Sequence, residues 1–323
     1  MQNDGDAAAP IRLALVGIGK IARDQHIPAL QANRSFELMA AVSRSGGIEG
    51  LPCFTDIGDL LESGLQVDAV SLATPPQGRH AIASAALEAG LHVMLEKPPA
   101  ATVSEVADLA DRAWAAGLTL FTTWHSREAA SVDAARDWLA GKALRSGRIA
   151  WKEDIRVWHP GQEWILQAGG LGVFDPGINA LSIATAILPQ ALLLRSAQLD
   201  FPANRQAPIA ARLSLQSGEA TVEAEFDFLQ SGPQSRDIVV EADGGRLILS
   251  DGRERLTVRL YRRFAALIRE GTSDVDLTPL QLVAGAFLLG GRVEAPPFSF
   301  DTNLLRRRDQ DRSSVMKSGS DLG

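Results

Sequence analysis

The chain has one cysteine, Cys53, and one tyrosine in 323 residues, and only 6% of it is aromatic. A lone thiol excludes an internal disulfide framework and any cysteine-built zinc or iron–sulfur cluster, and it fits a reducing cytoplasm. The five scattered histidines cannot supply the usual zinc ligand set of an alcohol dehydrogenase on their own, so no metal is expected. A basic excess is also missing. The net charge of -7 argues against a nucleic-acid partner, because affinity for a phosphate backbone comes chiefly from clustered Lys and Arg. The basic run Arg306-Arg307-Arg308 lies in a polar final stretch. Long apolar runs are absent too: the greasiest stretch, Ile178 to Leu194, is broken by Asn179, Pro189 and Gln190 and is too polar to span a bilayer. Met1 to Pro10 carries two aspartates and no apolar segment, so it reads as neither signal peptide nor anchor. What is present is ordinary globular composition, 46% hydrophobic and 22% charged, with room for two domains.

Short apolar runs alternate with helical periodicity from residue 11 to about 123. Ile11 to Val16, Phe36 to Val42, Asp68 to Ala73, Leu91 to Leu95 and Leu118 to Thr123 read as strands buried on both faces. Between them, Arg79 to Ala89 is Ala-rich and stops at Gly90, and Thr102-Val-Ser-Glu105 is a capping box opening a helix that ends near Gly117. Strand, helix, strand with short links predicts an α/β doubly wound parallel sheet over residues 10–126. The first helix should be short, because Pro28 interrupts it. After a helical segment from Arg127 to Leu139, the pattern changes to strands separated by turns: Arg148 to Trp158, Ala191 to Phe201, Ile209 to Gln216, Ala220 to Leu229, Asp237 to Ala242, Arg246 to Ser250 and Arg255 to Leu260. Helices are expected near 176–188 and 278–290. Residues 127–302 therefore read as an α+β domain with a mostly antiparallel sheet, wet on one face. The polar, nonperiodic stretch 303–323 reads as a disordered tail.

Gly17-Ile18-Gly19-Lys20-Ile21-Ala22 follows the strand Leu13 to Val16 and opens a helical segment. In that setting the first Gly permits a tight turn, the second lets backbone approach a pyrophosphate, and the small third residue lets helix and strand pack, with the anion at the helix N-terminus. The bland alternative is a glycine-rich turn in a cofactor-free sheet. The residue that usually receives the adenosine ribose is an acid at the end of the second strand. Ser43-Arg44 stands there instead, and a hydroxyl with a guanidinium suits a 2'-phosphate. NADP is thus the expected cofactor, ahead of NAD, unless Arg44 is simply a solvated loop residue.

Ligands of open parallel sheets bind beyond the carboxyl ends of strands, where Ala73-Thr74-Pro75 and Glu96-Lys97-Pro98 lie. His80 opens the next helix, and His125 follows the fifth run. Lys97 can hold a substrate oxygen and pass a proton; it can equally be a surface loop lysine. Asp175-Pro176 precedes an apolar helical run and reads as an N-cap with an N1 proline. Asn179, four residues on, shares its face. As a functional pair, Asp175 would take a proton and Asn179 would hold a neighbouring oxygen, although a helix N-terminus and a nearby Lys97 weaken a carboxylate base. Period two puts Glu153 and Asp154 on opposite strand faces, so at most one of them looks toward Lys97. Trp158 can stack on a sugar ring, with Glu153 and His159 on its hydroxyls. Core packing, a turn and a solvated strand face are the alternatives for these three.

Gly17-x-Gly19-x-x-Ala22, Ala73-Thr74-Pro75, Glu96-Lys97-Pro98 and Gly169-Gly170 followed by Asp175-x-x-x-Asn179 together resemble the glucose–fructose oxidoreductase and inositol dehydrogenase family over residues 10 to 300. The resemblance implies a nicotinamide-binding Rossmann domain followed by a domain with an open antiparallel sheet, whose exposed face commonly joins subunits. It therefore implies a homo-oligomer, dimer or tetramer. Many members carry His where this chain has Asn179, which throws weight on Asp175 and Lys97. Trp124-His125-Ser-Arg, the segment Trp151 to Gly161 and Phe174-Asp175-Pro-Gly-Ile-Asn179 further resemble the branch that oxidises L-arabinose and D-galactose at C1. That branch implies an aldose as substrate, D-fucose included, a lactone as product and hydride transfer to the nicotinamide. It also implies Lys97 and Asp175 flanking the C1 hydroxyl, Asn179 fixing it, and Glu153 and His159 on the other hydroxyls. Two other classes stay open: a glycoside hydrolase of the same family that retains NAD, and a nucleotide-binding regulator without turnover.

Overall fold

A computed structural model of the chain describes residues 9–250 and 258–301. The tail from 303 and the run Arg306 to Arg308 lie outside the described residues. The first body runs β1 (Ile11–Val16), α1 (Ile27–Gln31), β2 (Phe36–Val42), β3 (Cys53–Phe54), α2 (Ile57–Glu62), β4 (Ala69–Leu72), α3 (Arg79–Glu88), β5 (His92–Leu95), α4 (Val103–Ala115) and β6 (Leu120–Thr122). Its six strands are all parallel in the order β3-β2-β1-β4-β5-β6. The order runs outward from β1 in both directions, so the crossovers leaving β1 and β4 diverge and open a crevice at their carboxyl ends. Five of these strands are the five apolar runs of the sequence; β3 is two residues long and carries no periodicity.

Pro28 does not stop the first helix. A π-helical turn, Ala22–His26, leads straight into α1, with Pro28 at its start. The wider π turn shifts the pairing to i−5, as in Ile27 N–H to Ala22 O, which makes room for the proline ring and spares the bond it cannot donate.

The second body runs α5 (Ala130–Leu139), β7 (Leu144–Lys152), α6 (Ile155–Trp158), α7 (Phe174–Ile187), β8 (Leu192–Pro202), β9 (Ala210–Ser217), β10 (Ala220–Asp227), β11 (Ser235–Ala242), β12 (Gly245–Ser250), α8 (Val258–Glu270), α9 (Thr278–Leu289) and β13 (Gly291–Ala295). Seven of its strands form one sheet in the order β12-β11-β7-β10-β9-β8-β13. Only β10–β7 and β13–β8 pair in parallel. Along β10, Ala220, Val222, Ala224 and Phe226 are buried while Thr221 and Glu223 are exposed, the alternation of a half-wet sheet. Helices α7 and α9 cover the dry face.

Two expected strands are corrected. The run Arg148 to Trp158 stops as a strand at Lys152, because the Asp154 carboxylate accepts the Arg156 N–H at 2.8 Å and caps the short α6. Glu153 is accordingly buried in a bend and Asp154 is spent on the cap. In Arg255 to Leu260, residues 251–257 lie outside the described residues, and Val258 onward is helix. Leu260, Tyr261, Phe264 and Leu267 fall at helical spacing and pack on Ile11, Leu13, Phe36 and Phe121 of the first sheet.

Tyr261 seals that contact: its hydroxyl lies 2.8 Å from His26 Nδ1 and 3.2 Å from Ser71 Oγ, all buried. Burial holds the His26 pKa down to about 4. The folded protein therefore keeps His26 neutral while the unfolded chain takes up a proton below about pH 6.5, so stability falls as pH drops from 6.5 toward 4. Between pH 7.5 and 5 this group alone is expected to cost about 2 kcal/mol. Urea midpoints of wild type and His26→Gln at the two pH values check it; an equal pH dependence in both would refute the assignment.

Candidate active site

Gly17 turns the chain off β1 at φ 90°, and a Cβ there would stand 2.8 Å from Thr74 N. Only glycine lets the loops after β1 and β4 meet this closely. A Cβ on Gly19 would meet nothing within 4 Å, so the backbone there is open to a phosphate. Ile18 points into the core, Lys20 turns to Asp24, and Ile21 is half-buried, which leaves main chain rather than side chains facing the crevice. Thr74 Oγ1 is buried and makes no hydrogen bond, with half-buried Ala73 and exposed Pro75 beside it. The turn, the open glycine and the orphaned hydroxyl fit a dinucleotide. Ser43 and exposed Arg44 follow β2; the Ser43 hydroxyl accepts the Ser45 N–H at 3.2 Å. His80, at the start of α3, has its Nε2 2.7 Å from Asp108 on α4.

Lys97 leaves the end of β5 and donates to the Asp175 carbonyl at 3.1 Å and to its Oδ1 at 3.4 Å. Asp175 is not the N-cap that its sequence suggests. Val173 is the N-cap, in αR conformation, so Pro176 is not N1 and Asp175 is the second residue of the first turn, its side chain 4% exposed. The carboxylate is thereby freed from capping and spent on Lys97. One turn on, Asn179 Oδ1 is buried without a hydrogen bond, an acceptor with nothing to accept from.

Behind Lys97, Glu96 Oε1 lies 3.2 Å from His125 Nδ1. Burial alone would raise the Glu96 pKa, but His125, Lys97 and His26 outweigh it and hold it near about 2. His125 thus braces the loop through Glu96. From the second body, His159 Nδ1 approaches Asp175 Oδ2 at 3.9 Å and its Nε2 lies 3.2 Å from Glu153 Oε1. Trp158 is 39% exposed and has the Arg236 guanidinium 5.0 Å over its ring.

Lys97, Asp175, His159 and Glu153 thus form one continuous chain of contacts from the end of β5, with Asn179 one turn from Asp175 and Trp158 joined through Arg236. Two residues here were not legible. Arg79, 2% exposed, donates to the carbonyls of Thr74, Glu96 and Pro98 and ties both strand-end loops together. A cation in the first turn of a helix is unfavourable unless something specific holds it, and that was the available signal. Arg236, in the polar stretch Gln234 to Asp237, gave none.

Fold and crevice together define an oxidoreductase that uses a nicotinamide dinucleotide. The chain belongs to the oxidoreductase family with an NAD-binding Rossmann fold, whose profile matches residues 11–123. Galactose 1-dehydrogenase of Pseudomonas fluorescens is 45% identical over 316 residues, covering 90% of this chain and 99% of that protein. The crystal structure of a D-galactose-1-dehydrogenase from Rhizobium etli is 50% identical, covers 91% of this chain and 99% of its own, and superposes with a TM-score of 0.87. A 3-ketoreductase from Actinomadura kijaniata, solved with NADP, shares the fold at 21% identity and TM-score 0.73 over 89% of this chain and all of that one.

Proposed function

We propose that the protein is an NAD(P)-dependent aldose 1-dehydrogenase that oxidises the anomeric carbon of D-galactose, L-arabinose and D-fucose to the lactone. The observation that carries this reading is the buried contact of Lys97 with Asp175 at the mouth of the Gly17 crevice. The bound dinucleotide supplies the redox chemistry by accepting hydride from C1. Lys97 and Asp175 flank the C1 hydroxyl and share removal of its proton; Asn179 Oδ1 accepts a hydrogen bond from a hydroxyl. Trp158 offers one ring face to the sugar, the other being taken by Arg236. D-Galactose and L-arabinose share ring stereochemistry and differ by the C5 hydroxymethyl group, so one pocket serves both. A cytoplasmic homo-oligomer joined through the wet face of the second sheet completes the reading.

The test is absorbance of the reduced nicotinamide with an aldose panel and both dinucleotides. Reduction with D-galactose, L-arabinose or D-fucose is expected, and none with any of the three would defeat the substrate assignment. NADP is the preferred acceptor through Ser43 and Arg44. Arg44→Ala is expected to raise the KM for NADP by about tenfold or more, the worth of a charge-assisted hydrogen bond, and that for NAD little. Equal effects on the two would remove Arg44 from the 2'-phosphate.

A further inference from the structure

Arg236 projects from β11 and donates to Glu153 Oε2 at 2.6 Å. Its guanidinium carbon sits 5.5 Å from the ring centre of Trp151 and 5.0 Å from that of Trp158. Glu153 is 1% exposed and has both carboxylate oxygens committed, Oε2 to Arg236 and Oε1 to His159 Nε2 at 3.2 Å. It is therefore poorly placed to bind a substrate hydroxyl and well placed to orient His159. The far side of that imidazole, Nδ1, faces Asp175 Oδ2 at 3.9 Å. This gap is too long for a direct hydrogen bond, yet one oxygen atom can lie about 2.8 Å from both atoms at once.

Two carboxylates thus flank one imidazole, an arrangement that ordinarily drives it to the doubly protonated form. Here each carboxylate has its own cation, Arg236 on Glu153 and Lys97 on Asp175. We propose that Arg236 is a positioning residue: by neutralising and aiming Glu153 it keeps His159 uncharged, with its proton on Nε2 and Nδ1 free to accept a hydrogen bond from a substrate hydroxyl beside Asp175. The proposal rests on the reading of this site as an aldose site. It gives the chain a histidine acceptor over Asp175 from the turn after α6, on a different element from Asn179. Burial alone would raise the Glu153 pKa, but the hydrogen bond from His159 and the charge and hydrogen bond of Arg236 hold it below the ordinary carboxylate value, so the acceptor for the Nε2 proton stays ionised.

Imidazole 15N spectra at neutral pH test this, with the His159 signals assigned by their loss in His159→Gln. Wild type is expected to show a protonated Nε2 and an unprotonated Nδ1. Arg236→Gln is expected to gain a proton on Nδ1, and Arg236→Lys, which keeps the charge, to retain the wild-type pattern. If the glutamine variant does not fold, Arg236→Met, which fills the space between the two indoles, carries the same comparison. Kinetically, Arg236→Gln is expected to lower kcat/KM for the aldose about tenfold with unchanged dinucleotide affinity by fluorescence titration, since Arg236 lies outside the Gly17 loop. A doubly protonated His159 in wild type, or one pattern shared by wild type and the uncharged variants, overturns the proposal. Failure of every aldose would instead strike the function, because the spectra read the imidazole without turnover.

Discussion

Lys97→Ala is expected to lower kcat for aldose oxidation by about a hundredfold or more while leaving dinucleotide affinity within a few-fold. The amine is the cation that reaches Asp175, at 3.4 Å from Oδ1, and the two side chains are only 13% and 4% exposed. Water entering the space carries no charge to replace the ammonium, so its loss removes both the charge that steadies a developing alkoxide and one partner in proton removal. The Gly17 turn and the open backbone at Gly19, which fit a dinucleotide, are not built by Lys97, so binding and turnover should separate. Asp175→Asn is expected to behave similarly, since it spoils the same pair from the other side. Near-normal turnover in Lys97→Ala, with intact binding, would move the chemistry to another residue.

Arg79→Met is expected to destabilise the fold by about 3 kcal/mol. Three carbonyls, those of Thr74, Glu96 and Pro98, share one buried guanidinium. Hydrogen bonds to a charged group are worth about 1.5–3 kcal/mol each, and relief of the buried charge returns part of that sum. That charge is expensive: burial drags the Arg79 pKa down to about 10, although it remains protonated at neutral pH. A Tm lower by roughly 10 °C is the expected reading. Both tethered loops line the crevice, so KM for dinucleotide and for aldose should rise together. Arg79→Lys keeps the charge but loses the fork and should fall between the two. A methionine variant that melts with wild type would show that the loops hold themselves.

Much of this architecture is readable from neighbours in sequence. The Gly17 loop is local, since its strand, turn and helix are contiguous and its glycines have steric reasons, and Lys97 inherits its place from the end of an apolar run. Other features depend on contacts that spacing cannot express. Asp175 mimicked an N-cap because Asp-Pro is what caps look like, whereas the cap is decided by the conformation of Val173. Glu153 and Trp158 sat on a supposed strand, with His159 just after it, because nothing in Arg148 to Trp158 announces the short helix that Asp154 caps. Arg79 and Arg236 act on groups 17 and 83 residues away, each within its own body, so their purpose exists only once that body has folded. Helix α8 was missed for a similar reason. Its apolar face is written in helical period, but the surface it matches belongs to β1, β2 and β6.

That helix also sets an order of events during synthesis. The dinucleotide-binding half is not finished when β6 leaves the ribosome, because the lid for Ile11, Leu13, Phe36 and Phe121 is encoded after β12. Until then that face of the first sheet is covered only in part, by Ala29 and Leu30 of α1, and leaves apolar surface of the kind on which aggregates grow. The first half thus completes its own core only with a segment encoded near the far end of the chain.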